Sequence, residues 1–136
     1  MKLKKIKNIL FINPYGIGDV LFSTPFLRNL KEFDNSIRIY YLANKRCAPL
    51  LEDHPLIEKV FVYERDDFEA IKKDSYFKYI KNILEFIAAI RKEKIDTCFD
   101  VSLTPKFGYM SILAGIKNRV GLSYHRRGYL LNYKVP

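Results

Sequence analysis

Near the N-terminus a short, almost wholly apolar run, 6–13, breaks off at Pro14 and is followed by Gly16, Gly18 and an acid, Asp19. So apolar a run suits a strand buried on both faces, as at the centre of a parallel sheet. Glycines directly after it belong where backbone turns sharply or comes close to a ligand. Downstream, Val20, Thr24, Leu27 and Leu30 recur at helical spacing, with Arg28, Lys31 and Glu32 on the other side, which predicts a first helix over 20–33.

The pattern then repeats. Strands are predicted at 37–42, 59–63, 97–103 and 119–123, and a short helix at 49–52. The charged stretch 64–73 reads as an exposed loop. Phe77, Ile80, Leu84, Ile87 and Ala88 mark an amphipathic helix over 75–94, and small and apolar residues a further helix over 107–116. The tail 125–136 has no clear period. Strand alternating with helix implies right-handed parallel crossovers. The expected fold is therefore one Rossmann-like α/β sandwich over 1–136, with ligands at the carboxyl ends of its strands.

With 136 residues and 49% hydrophobic content the chain can bury a core, so a disordered tail is excluded. The ten tyrosines and ten phenylalanines fall mostly on strand and helix positions, without the paired aromatic motif of an RNA-binding sheet. A net charge of +9 favours partners bearing phosphate or carboxylate. After Asp100 no carboxylate follows, while Lys106, Lys117, Arg119, Arg126, Arg127 and Lys134 do. These side chains either bind such a partner or simply solubilise the surface.

Cys47 and Cys98 lie far apart, without the spacing of a zinc site or a disulfide framework, and suit a reducing cytosol. The apolar residues behind the basic start are too few for a signal segment or a membrane span, so any membrane contact is expected to be peripheral.

The segment from Asn13 to Asp19 carries the chemistry. It is neither a dinucleotide fingerprint, since Leu21 stands where a third glycine would, nor a phosphate-binding P-loop. Asp19 has two readings. As an N-cap it would satisfy free N–H groups of the first helical turn, unless the helix starts at Thr24 with Pro25 in its first position. As a carboxylate at the mouth of a strand crevice it is what a general base requires, able to take a proton from a sugar hydroxyl as that oxygen attacks. Either way the acid falls beside the positive end of a helix, a favourable site for negative charge.

Several segments in order carry a resemblance. These are Ile9-Leu10-Phe11-Ile12, Gly18-Asp19-Val20-Leu21, Thr24-Pro25 with Leu27-Arg28-Asn29-Leu30-Lys31, His54-Pro55-Leu56-Ile57-Glu58-Lys59-Val60, Ile95-Asp96 to Asp100, and Arg119-Val120-Gly121. Together they resemble glycosyltransferase family 9, the ADP-heptose:lipopolysaccharide heptosyltransferases.

The resemblance implies the N-terminal, acceptor-binding half of a GT-B enzyme, an inverting, metal-independent transferase that uses no cofactor. It implies Asp19 as the catalytic base and a lipopolysaccharide-core or related glycan acceptor. Contacts to that acceptor are expected from Asn13, Tyr15, Gly16 and Gly18. The sequence departs from the family's usual residues at Asn13, Tyr15 and Gly16, so contacts there are expected to differ. The donor, ADP-heptose by the same resemblance, would be held by a C-terminal domain for which the chain has no room. A piece of a longer protein, inactive alone, is the expectation. It would be cytoplasmic, with contact at the inner face of the cytoplasmic membrane as a further possibility.

Other basic residues follow strands. Lys106, His125, Arg126 and Arg127 are candidates for acceptor phosphates through charge-assisted bonds, against the alternative of a solvated loop. Lys45 and Arg46 are weaker candidates of the same kind. Asp100 either reaches the crevice or serves as a hydrogen-bonded structural acid, and is not expected to be a second catalytic acid. The competing reading of the whole chain is a non-catalytic basic Rossmann-like module that binds a phosphorylated ligand or nucleic acid; under the transferase reading no nucleic acid is expected.

Overall fold

The computed structural model describes residues 6–122 and 129–135. Their order is β1 (Asn8–Ile12), α1 (Ile17–Phe33), β2 (Arg38–Ala43), α2 (Ala48–Glu52), β3 (Ile57–Val62), α3 (Arg65–Asp74), α4 (Tyr76–Lys92), β4 (Thr97–Asp100), α5 (Pro105–Leu113), β5 (Asn118–Leu122) and β6 (Tyr133–Val135). The strands form one six-stranded sheet in the order β3-β2-β1-β4-β5-β6, with every neighbouring pair parallel. This is the Rossmann-like α/β fold expected. Strand order reverses between β1 and β4, and a crevice opens at the carboxyl ends of the strands where such a reversal occurs.

The two faces of the sheet bury alternate residues of the same strands. Ile9, Phe11, Ile39 and Tyr41 pack with Val20 and Leu27 of α1 and Leu51 of α2. Leu10, Ile12, Tyr40 and Leu42 pack with Ile87 and Ile90 of α4 and Phe107 and Met110 of α5. At the amino edge, the Asp96 carboxylate accepts from the Lys7 and Asn8 backbone N–H groups at 2.9 and 2.8 Å, pinning the start of β1 to β4.

Four details differ from the sequence expectation. First, 64–73 is not a loop: nearly all of it is α3, although no residue of that helix is fully buried. Asp66 and Asp67 in its first turn and Lys72 and Lys73 in its last complement the helix dipole. Phe68 anchors it by stacking on Tyr63 at 4.7 Å between centroids. Charge placement and the ring contacts of this one phenylalanine, which also meets Tyr79 and Phe86 of α4, rather than a long apolar stripe, hold this helix.

Second, the tail adds a sixth strand. Asn132 Oδ1 accepts from the Arg119 N–H at 2.8 Å, the Asn132 N–H donates to the Arg119 carbonyl at 2.8 Å, and the Arg119 Nε donates to the Leu130 carbonyl at 2.7 Å. Two glycines make this docking possible. A Cβ on Gly121 would fall on the Asp100 carbonyl oxygen and against Leu131, and one on Gly108 would meet Leu130 at 2.9 Å.

Third, α4 is rotated from its expected face. Ile87 and Ile90 are buried, whereas Phe77, Ile80 and Leu84 are exposed. Fourth, α1 begins at Ile17 with Gly16 as N-cap, and Pro25 lies inside it, so neither Asp19 nor Thr24 caps the helix. Pro25 is itself exposed, and it removes only the bond to the Leu21 carbonyl, while Val20 and Leu27 anchor the helix on either side of it.

Candidate functional site

The carboxyl ends of β1, β4 and β5 and the first turns of α1 enclose a hollow of about 490 Å³. Most of its lining is apolar, from Phe11, Phe22, Phe26, Phe99, Val101 and Leu122. Phe22 is 85% exposed. The polar groups reaching it include Asn13, Ser23, Asp19 and Asp100. Two carboxylates thus share one largely aromatic cavity at the strand-order reversal.

Asp19 lies in the first turn of α1 and is exposed to the hollow. Among the described residues no hydrogen bond or ion pair engages its carboxylate. Its backbone is fixed from below: Asn13, 2% exposed at the end of β1, donates from Nδ2 to the Asp19 carbonyl at 3.2 Å and to the Tyr41 hydroxyl at 2.9 Å. Ser23 Oγ donates to the Val20 carbonyl at 2.6 Å and lies 2.9 Å from the Tyr41 oxygen. Since the serine proton goes to Val20, the tyrosine donates to Ser23 and accepts from Asn13. Burial pushes the Tyr41 phenol up, which keeps that proton on the ring oxygen. The chain of bonds runs from α1 through β2 to β1 and leaves little freedom beneath Asp19.

The loop between β1 and α1 is held from both sides. Asn44, just past β2, donates to the carbonyls of Pro14 and Tyr15 at 3.2 and 3.0 Å, while the Tyr15 hydroxyl donates to the Ser102 carbonyl beyond β4. Gly16 has φ −71° and ψ 176°, a conformation open to any residue. A Cβ on Gly16 or Gly18 would meet nothing within 4 Å. The chain's own packing therefore does not require these glycines. What they preserve is open space beside Asp19 and three main-chain N–H groups, of Ile17, Gly18 and Asp19, at the uncapped start of α1.

Asp100 closes β4 and is 6% exposed. One carboxylate oxygen accepts from the Ser102 N–H at 2.8 Å and from its hydroxyl at 2.5 Å, ending the strand in a tight turn. Burial pushes its carboxyl above the usual carboxylate range, partly offset by those two bonds. It is the hydrogen-bonded acid the sequence suggested, and it also lines the hollow.

The other candidates are distributed differently. Asn13, Tyr15 and Asp19 line the hollow, with Gly16 and Gly18 between them in the chain. Lys106 does not join them: its ammonium donates to the Tyr63 hydroxyl at 3.0 Å on the opposite face of the sheet. Lys45 pairs with Asp67 of α3 at 3.7 Å. His125, Arg126 and Arg127 lie outside the described residues. Sequence reasoning missed the apolar wall. Its one visible signal was Phe22, a bulky apolar residue on the side of α1 away from the expected packing stripe.

No protein-family model matches the chain, and no curated protein does. Solved structures do. Heptosyltransferase II of E. coli, an ADP-heptose lps heptosyltransferase, is similar with a TM-score of 0.74 and 22% identity over 95% of this chain and 34% of its own. E. coli heptosyltransferase WaaC with ADP-2-deoxy-2-fluoro heptose gives a TM-score of 0.77 at 16% identity, over 94% of this chain and 42% of its own. A family 9 glycosyl transferase from Veillonella parvula gives 0.76 at 19%, over 98% and 37%. The chain thus spans between 34% and 42% of these proteins. Its fold is that of the N-terminal part of GT-B heptosyltransferases.

Proposed function

We propose that this chain is the acceptor side of an inverting glycosyltransferase and that Asp19 is its general base. The observation that carries the reading is a carboxylate with no partner among the described residues, open to an apolar hollow at the strand-order reversal, on a backbone fixed by Asn13. The similarity in fold to heptosyltransferases supports the same class.

In the proposed reaction the acceptor's sugar ring lies in the hollow, its apolar C–H faces against Phe22 and Phe26 and a hydroxyl at Asp19. The carboxylate takes the hydroxyl proton as the oxygen bonds to the anomeric carbon of the donor. The bond from that carbon to the diphosphate breaks, the nucleoside diphosphate leaves with the electron pair, and the configuration inverts. Positioning and base catalysis together supply the acceleration. The donor is a nucleotide-activated sugar, ADP-heptose on the likeness to the heptosyltransferases, bound by a further domain of a longer protein. The acceptor is a glycan of the lipopolysaccharide core or one related to it. Neither metal nor cofactor takes part in these steps.

A nucleic-acid or phosphate-binding module would be expected to line this hollow with Lys and Arg. Among the described residues, aromatic rings and two carboxylates line it instead, which suits a polyhydroxylated ligand. The test is transfer by the full-length protein from ADP-heptose to a lipopolysaccharide-core acceptor, with and without a chelator. Product that forms equally in both supports the proposal. Absence of transfer to any sugar acceptor, with tight salt-dependent binding of unrelated DNA, would reverse it.

A further inference from the structure

The helix α4 buries one line of apolar residues and exposes another. Ile83, Phe86, Ile87 and Ile90 meet the sheet and α3, while Phe77, Ile80, Leu84 and Ala88 line an open groove of about 370 Å³. Phe77 is 81% exposed and Leu84 56%. At ~100° per residue, this second stripe lies about a third of a turn from the first. Its side is the one facing α5, because Arg91, in the same sector, donates to the Leu113 carbonyl at 3.0 Å. There α5 exposes Ile112 and Leu113. Two neighbouring helices thus present apolar side chains that nothing among the described residues covers.

The charges around this face are mostly positive. Helix α4 carries Lys78, Lys81, Arg91 and Lys92 against the single acid Glu85, which lines the groove beside Lys81, and Lys78 pairs with Asp74 at 4.0 Å. On the helical wheel Lys81 and Lys92 fall along one edge of the stripe. The whole chain carries +9. In a second copy docked on this face Glu85 could answer only one of Lys81 and Lys92 and an excess of positive charge would remain, whereas an anionic surface would neutralise both lysines. No helix among the described residues is long and apolar enough to cross a membrane. Aromatic and aliphatic side chains bordered by lysine suit the boundary between lipid headgroups and acyl chains.

We infer that the outer face of α4 and α5 is a docking surface for an anionic lipid bilayer, with Phe77, Ile80 and Leu84 entering the acyl boundary and Lys81 and Lys92 on the headgroups. This surface lies on the opposite side of the sheet from α1, and the inference does not depend on the reaction proposed for Asp19.

Flotation of the full chain with vesicles tests it, comparing phosphatidylethanolamine containing phosphatidylglycerol with phosphatidylcholine alone. The chain is expected to float with the anionic vesicles, weakly with the neutral ones, and less in high salt. Lys81→Gln and Lys92→Gln are each expected to weaken partitioning about fivefold. Leu84→Glu is expected to weaken it roughly tenfold or more. All three positions are exposed, and unchanged circular dichroism melts would show the variants folded. Failure to float with anionic vesicles, or flotation untouched by Leu84→Glu, overturns the inference. So does a dimer in solution that Leu84→Glu dissociates, since a second copy would then cover the face.

Discussion

The side-chain amide of Asn13 donates to the main-chain carbonyl of Asp19 at 3.2 Å, tying the buried end of β1 to the open first turn of α1. The contact makes Asn13 a positioning residue, and it separates two kinds of loss. Asn13→Ala removes the donors to both Asp19 and Tyr41 from a buried site, at a cost of about 1–3 kcal/mol in stability. Transfer by the full-length protein is expected to fall as well, mainly in turnover, because the base loses its fixed backbone. Denaturant melts and steady-state kinetics on the same preparation check this. A variant as stable and as active as the parent would show that the hydrogen bond holds nothing.

Asp19→Asn tests the base itself. The side chain is exposed and among the described residues has no partner, so folding stability should change by less than about 1 kcal/mol. Turnover should fall about 10²–10⁴-fold, the usual contribution of a positioned base, with acceptor KM little altered. A modest fall in turnover accompanied by a large rise in KM would make Asp19 a binding group instead.

The glycines divide into two classes that alanine substitution can tell apart. Gly121→Ala would drive a Cβ into the Asp100 carbonyl and Leu131, so a loss of about 1–3 kcal/mol is expected and β6 should be the first element released. Gly16→Ala and Gly18→Ala meet open space, and Gly18 sits in a helical turn where alanine is preferred by about 1 kcal/mol. Both should leave thermal stability intact or slightly raised. Both should raise acceptor KM, because the methyl group fills room kept beside Asp19. An unchanged KM would mean that the acceptor does not approach this loop.

Much of the sheet was legible in the sequence because its central strands are buried on both faces, which leaves continuous apolar runs such as Ile9 to Ile12. The helix α3 was not, since its charged residues satisfy a helix dipole and a single phenylalanine docks it, a pattern that periodicity does not register. The strand β6 was hidden for another reason: its three residues become a strand only by pairing with Val120, Gly121 and Leu122 of β5, more than ten positions away along the chain. On α4 the apolar residues occupy two separate lines, and spacing alone cannot choose which line meets the core.

The site was half legible. A glycine-bounded turn after the first strand pointed to Asp19, but the general preference for aspartate as N-cap pulled the other way, and the structure gives that position to Gly16. The hollow's wall draws on β1, α1, β4 and β5 together. Only the topology brings Phe22, Phe99 and Leu122 to one place, so no local pattern could have shown it.

Asp100 supplies the last prediction, in pH dependence. Its carboxyl is raised above the ordinary value of 3.8 by burial, so the folded state holds that proton more tightly than the unfolded chain. Its contribution is fully present below the unfolded value and is lost as pH rises through the higher folded one. Wild-type stability should therefore carry a component that declines upward from the ordinary carboxylate range. Asp34 works in the opposite sense, its carboxyl held low by hydrogen bonds from Ser36, so the Asp100 component appears only in a difference between proteins. Asp100→Asn keeps an oxygen to accept from Ser102 and has no charge to bury. The stability of this variant relative to the parent should rise with pH across that window and level off above it. Urea melts at a series of pH values measure the difference directly. A flat difference would mean that Asp100 titrates as it does in the unfolded chain, and that the hollow is wetter around it than its burial implies.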